Sequence, residues 1–182
     1  MARLFIGIEL DEPSRIACAA LATRLQSRGF PASYVPQRNY HLTLVFLGNV
    51  ESAKLPAIET MLAEIAPRYG AFEISIERVG AFPQERRPRV VFAGSRGVDE
   101  RYRALASEVR AACERLGFPS DDDAIPHVTL ARVPERNRTA LPMLDVEPFA
   151  IPVRALTLFA SLPHEGRTRY EAQRVWSLAK SI

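Results

Sequence analysis

Cysteine is scarce in this chain of 182 residues: Cys18 and Cys113 are the only two. That excludes a disulfide framework and any all-cysteine zinc site. Lysine is scarcer still for its role, since Lys54 and Lys180 stand beside 22 arginines. No apolar run is long enough to cross a bilayer. The N-terminal MARLFIGIEL meets the charged DEPSR after ten residues and lacks a signal-peptide layout. No Gly/Ser linker and no low-complexity stretch divides the chain. These absences predict a soluble cytosolic protein with reduced thiols.

What is present fits one folded unit. Hydrophobic residues make up 47% and charged residues 25%, values that exclude global disorder. The length suits one domain, or two small lobes sharing a core, and a chain this size buries roughly 70% of its unfolded surface. Net charge is +3, which permits an anionic ligand without requiring one. The arginine fork suits phosphate, although arginine bias also follows from a G+C-rich genome.

Periodicity gives a mixed order of elements. Residues 4–10 alternate as a strand, and Asp11 opens a helix from about Pro13 to Ser27 that Gly29 ends. Strands are read at 40–47, 72–79 and 90–93, with helices at 52–66 and 99–116. A short strand follows at 127–133, then one or two at 149–162 and a last one at 170–178. Antiparallel returns are expected.

One echo carries the chemistry. His41-Leu42-Thr43-Leu44 and His127-Val128-Thr129-Leu130 each read His, aliphatic, Thr, Leu, 86 positions apart in a chain with three histidines. On a strand, alternate side chains share a face. His41 and Thr43 therefore face one way, with Leu42 and Leu44 behind them, and the second motif repeats this. One His-x-Thr on a strand is commonly a half-buried structural pair; two matched copies half a chain apart point to a site built from two related lobes. Two imidazoles facing each other across a groove make a general acid and base near pH 7. Threonine hydroxyls and nearby arginines supply donors to phosphate oxygens, which suits in-line displacement at phosphorus.

The paired motif resembles the 2H phosphoesterase superfamily, and more closely its RNA 2′,3′-cyclic phosphodiesterase branch, also called 2′-5′ RNA ligase. The residues that carry the resemblance are RLFIGIEL (3–10), HLTLVFLG (41–48), RPRVVFAG (87–94), PHVTLAR (126–132) and RYEAQRVWSL (169–178). It covers essentially the whole chain. It implies an α+β, bilobal fold over residues 1–182, with two antiparallel β-sheets lining a central groove and helices packed outside. It also implies hydrolysis of a ribose 2′,3′-cyclic phosphate to a 2′-phosphomonoester without a metal or other cofactor. His41 would be the proton donor and His127 the proton acceptor; the motifs themselves are symmetric and do not separate the roles. Thr43, Thr129 and Arg132 are the candidate phosphate contacts. Strict alternation turns Arg132 away from His127, so it reaches phosphate only if the strand bends or ends at Ala131.

Arg89, Tyr170 and Phe5 are further candidates to line the groove. Phe5 shares its face with Gly7, opposite Leu4, Ile6 and Ile8, where an aromatic ring stacks on a base or packs in the core. Asp121-Asp122-Asp123 reads as a solvated loop rather than a metal site, since hard-cation ligands are usually spaced. His164 lies in a loop signature without a matching threonine. Asn137-Arg138-Thr139 matches a glycosylation acceptor but carries no weight without a signal peptide. The expected partners are RNA ends or nucleotides bearing a 2′,3′-cyclic phosphate, with no membrane and no obligate protein partner, the chain acting as a monomer. Two other readings stay open. One is a cyclic phosphodiesterase for ADP-ribose 1″,2″-cyclic phosphate or a 2′-5′ oligonucleotide. The other is a non-catalytic module that binds RNA ends, which has no need of two proton-transfer groups.

Overall fold

The computed structural model describes residues 2–120, 125–136 and 139–180. Asp121–Asp123 and Asn137 lie outside the described residues. Strand β1 (Ala2–Glu9) leads through the Asp11 cap into helix α1 (Glu12–Ser27). The Asp11 carboxylate accepts from the Ser14 amide at 3.1 Å, and Pro13 sits in the first turn, where its missing N–H costs nothing. Then come β2 (Ser33–Tyr34), a single 3-10 turn at Gln37–Asn39, β3 (His41–Val50) and α2 (Leu55–Ile65). Strands β4 (Phe72–Ile76), β5 (Arg78–Phe82) and β6 (Val90–Gly94) precede α3 (Glu100–Arg115). Strands β7 (His127–Arg132), β8 (Phe149–Val153), β9 (Ala155–His164) and β10 (Arg167–Ser177) complete the chain.

The α+β order and the antiparallel pairing agree with the sequence reading, and two sheets are present. The larger has eight strands in the order β10-β9-β1-β3-β7-β6-β5, with β2 beside β7. The smaller is the antiparallel pair β4-β8. Residues 72–79, read as one strand, are two. Strand β4 pairs with β8, the chain turns at Glu77, and β5 crosses to the large sheet to pair with β6. Alternation alone does not show where a strand changes sheets.

The large sheet is two halves held by a single register pair. Strands β10, β9, β1 and β3 form one half; β2, β7, β6 and β5 form the other. Among the described residues, only Leu42 and Val128 are paired between β3 and β7. Because pairing stops after one residue, the halves diverge on either side of it and leave a groove on one face. The other face is the core. Leu42, Leu44, Val128 and Leu130 are buried there, each at 3% exposure or less, in one cluster with Leu4, Ile6 and Ile8. Burying each such side chain contributes about 1.5–3 kcal/mol, so the motif strands are anchored from behind. Helix α3 covers the back of β3 through Tyr102, Leu105, Ala106, Val109, Ala112 and Cys113, a helical stripe. Helix α1 packs behind β7. Among the described residues no helix is long and apolar enough to cross a membrane.

Candidate active site

Each histidine opens its strand, and each is held in the same way. His41 Nδ1 lies 2.7 Å from the Asn39 carbonyl oxygen, and His127 Nδ1 lies 2.8 Å from that of Ile125, in each case two residues upstream. A carbonyl only accepts, so Nδ1 carries the proton and donates it. The tautomer is thereby set, which makes Nε2 the accepting nitrogen of each neutral ring. His41 Nε2 is 2.9 Å from Thr43 Oγ1; while the ring is neutral, the threonine hydroxyl donates to it. Leu42 opposite Val128 acts as a local two-fold point. About that pair His41 corresponds to Thr129 and Thr43 to His127, with the strands diverging on either side.

Both strands then carry a bulge at the same place. Opposite β1, Thr43 faces Gly7 and Val45 faces Ile6, so Leu44 is the extra residue. Opposite β6, Thr129 faces Phe92 and Ala131 faces Val91, so Leu130 is extra. Each strand therefore buries two consecutive residues, Leu44-Val45 and Leu130-Ala131. The phase flips, and the sixth side chain returns to the side of His and Thr. That side chain is Phe46 in one strand and Arg132 in the other, both exposed and both lining the groove. The freed carbonyls at the two bulges are satisfied: Tyr102 Oη donates to the Thr43 oxygen at 2.8 Å, and the Val35 amide donates to Leu130 at 2.9 Å.

Aromatic rings seat both imidazoles. Phe5 lies 4.7 Å from the His41 ring and Tyr170 meets it edge-on at 5.0 Å, with Phe159 stacked on Phe5. Phe82 and Phe92 do the same for His127 at 5.2 and 5.7 Å. Burial in this setting lowers the His41 pKa to about 4; the fields of His127 and Arg132 push the same way, and the Asn39 carbonyl bond opposes them. His41 is thus neutral at pH 7. The groove encloses about 370 Å³, lined by both histidines, both threonines, Arg132, Phe46 and Tyr170 among others. That is the lower range for small-ligand sites. Among the described residues, no group of three or more His, Cys, Asp or Glu side chains is placed to hold a metal ion.

The chain has relatives among known proteins. The family model of the 2′-5′ RNA ligase superfamily matches residues 13–164. The chain belongs to that superfamily. A relative from Escherichia coli strain K12, named RNA 2′,3′-cyclic phosphodiesterase, is 33% identical over 98% of this chain and 97% of its own. One of the same name from Aeropyrum pernix is 36% identical over 85% and 93%. Among solved structures, Escherichia coli LigT complexed with 3′-AMP superposes with a TM-score of 0.80 at 30% identity, covering 98% of this chain and 99% of LigT. A Thermus thermophilus protein gives 0.79 at 30% identity, covering 99% and 100%.

The structure brings together six of the residues singled out in the sequence: His41, His127, Thr43, Thr129, Arg132 and Tyr170 all line the groove. Two others go elsewhere. Arg89 is turned out of the lining to pair with Glu135. Phe5 does not line the space between the histidines; at 2% exposure it is packed beneath His41, with Phe159 and Tyr170 closing over it from β9 and β10, and it borders only the adjoining cavity along Phe46. His164 lies at the β9–β10 turn, its Nε2 4.0 Å from Glu165. Two contributors were not read from the sequence. Phe46 was hidden by the bulge, although the six-residue match HLTLVF to HVTLAR marks it as the partner of Arg132. Asn39 is buried, its amide nitrogen 2.7 Å from the Thr168 carbonyl and its oxygen accepting from the Tyr170 amide at 3.2 Å. It ties β10 to the turn that holds His41, and no periodic pattern announces such a residue.

Proposed function

We propose that this chain opens the 2′,3′-cyclic phosphate of RNA ends or nucleotides to a 2′-phosphomonoester by acid–base catalysis at His41 and His127. The observation that carries the reading is the matched pair of strands, each offering one Nε2 and one threonine hydroxyl to one groove. The names of the relatives point the same way. Residues 1–182 act as one domain, each half of the large sheet supplying one motif. His127 takes a proton from water, whose oxygen forms a bond to phosphorus. The bond from phosphorus to the 3′ oxygen breaks, and His41 gives that oxygen a proton. Thr43, Thr129 and Arg132 hold the non-bridging oxygens as their charge builds. With an RNA 5′-hydroxyl in place of water, the same displacement, with the 3′ oxygen leaving, forms a 2′-5′ linkage. Water at about 55 M keeps that reaction weak.

Incubation of the protein with 2′,3′-cyclic AMP in EDTA, followed by chromatography, tests the reading. The expected product is 2′-AMP. Predominant 3′-AMP means that the substrate lies reversed between the histidines. Turnover that EDTA abolishes and one divalent ion restores overturns the acid–base mechanism.

The pKa of His41 gives a second test. As general acid it takes up its proton together with the substrate, because an anionic phosphate between His41 and Arg132 favours the imidazolium. NMR titration of the free protein is expected to show His41 protonating near pH 4, and near a higher pH with 2′-AMP bound. The limb that His41 contributes to the pH profile of kcat/KM, which reports the free enzyme, should lie near pH 4, and the limb it contributes to that of kcat should lie higher. A free His41 that titrates at an ordinary imidazole value of about 6.5 removes the burial argument.

A further inference from the structure

The groove does not end at the histidines. Two more cavities, of about 810 and 400 Å³, open from it, and all three share Arg132 and Tyr170 in their walls. The larger runs between the turn at Gln37–Asn39 and the start of β10 and carries Arg38 and Arg167. The smaller runs along Phe46 and carries Arg3. No aspartate or glutamate is among the described residues lining any of the three, in a chain with 21 acidic residues. Neither Arg38 nor Arg167 makes an ion pair with a described residue, whereas seven other arginines do. Both are exposed, so their guanidinium forks stand in a channel whose potential has one sign.

We propose that the channel past Arg132 and Tyr170 binds the RNA strand that leads into the cyclic phosphate, with Arg38 and Arg167 on its backbone phosphates. The assignment rests on the cyclic-phosphodiesterase reading above. A 2′,3′-cyclic phosphate lies at the 3′ end of its chain, so any further nucleotide is on the 5′ side. A single nucleotide fills the space between the histidines, and the remaining volume and charge are surplus to it. Tyr170, shared by all three cavities, offers a ring face or edge at the point where the strand leaves. The protein therefore prefers an oligonucleotide end to a mononucleotide.

The test is the ratio of kcat/KM for a hexaribonucleotide ending in a 2′,3′-cyclic phosphate to that for 2′,3′-cyclic AMP. Wild-type protein should favour the hexanucleotide, and the Arg38→Ala/Arg167→Ala double variant should lose that preference. Each phosphate contact on a single strand adds about 0.7 to the slope of log affinity against log salt, so the double variant should flatten the hexanucleotide slope by about 1.4. Between about 50 and 200 mM salt that is roughly a sevenfold difference. A double variant at exposed arginines outside the channel, Arg96→Ala/Arg115→Ala, should keep the wild-type ratio. Equal kcat/KM on both substrates in wild type overturns the proposal, as does a preference that survives Arg38→Ala/Arg167→Ala. So does a 5′-diphosphate of 2′,3′-cyclic AMP that matches the hexanucleotide, since the channel then takes a short phosphate chain and not a strand. If wild type opens neither substrate, the cyclic-phosphodiesterase reading itself fails, and the strand assignment with it.

Discussion

Alanine at His41 or at His127 is expected to lower the opening of a 2′,3′-cyclic phosphate by roughly 10²–10⁴-fold, the usual contribution of one positioned acid or base. Alanine at His164 should leave the rate at wild type. The three histidines separate on geometry. His41 and His127 each have Nδ1 locked on a carbonyl and Nε2 directed to the groove, whereas His164 sits at a hairpin turn beside Glu165. On the proposed acid–base mechanism the two rings serve one displacement, so the double variant should lose little more than the worse single one. His41 also packs on Phe5 and Tyr170, so the loss is to be read beside a thermal melt. His41→Gln keeps more of the packing and lacks the titration; it should melt closer to wild type and remain as inactive as His41→Ala. Comparable losses at His164, or near-normal rates at either motif histidine, would falsify the pairing.

The residues of the site divided by how locally their positions are determined. His41, Thr43, His127 and Thr129 follow from strict period-two alternation over three residues, which a sequence displays directly. Arg132 and Phe46 lie past Leu130 and Leu44, and one extra residue in each strand reverses their facing. A bulge is a property of two paired strands, so a single strand's pattern does not reveal it, and alternation alone turned Arg132 the wrong way. For Phe5 the sequence left stacking on a base and core packing open, for a related reason. Its face was correctly opposite Leu4, Ile6 and Ile8, but what covers that face comes from β9 and β10, more than 150 residues later in the chain. Helices α1 and α3 were legible because their caps are local: Asp11 and Asp99 each accept from amides within three residues. Asn39 joins its own turn to Thr168 and Tyr170, and a contact at that separation leaves no periodic trace.

Replacing Gly7 by alanine should damage the site without touching any group that meets the substrate. Gly7 stands opposite Thr43 on β1, where the Leu44 bulge brings the two backbones together. A Cβ at Gly7 would lie 2.5 Å from the Leu42 carbonyl oxygen and 3.5 Å from the Phe159 ring. The first neighbour is backbone and cannot rotate away, so β1 and β3 must separate. Among the described residues, Leu42 holds the only register pair between the two halves, and His41 and Thr43 flank it. Overpacking of this kind costs about 1–3 kcal/mol. For a chain of this size, that lowers Tm by roughly 2–12 °C. The catalytic effect should be larger in proportion, since a shift of about 1 Å between acid and base can cost 10²-fold in rate. Gly97→Ala is the matched control, as nothing lies within 4 Å of a Cβ there; it should change neither melting nor turnover. A Gly7→Ala protein that melts and turns over like wild type would mean that β1 has room to yield, and the spacing of the two histidines would then have to be set by the Leu42–Val128 pair and α3 alone.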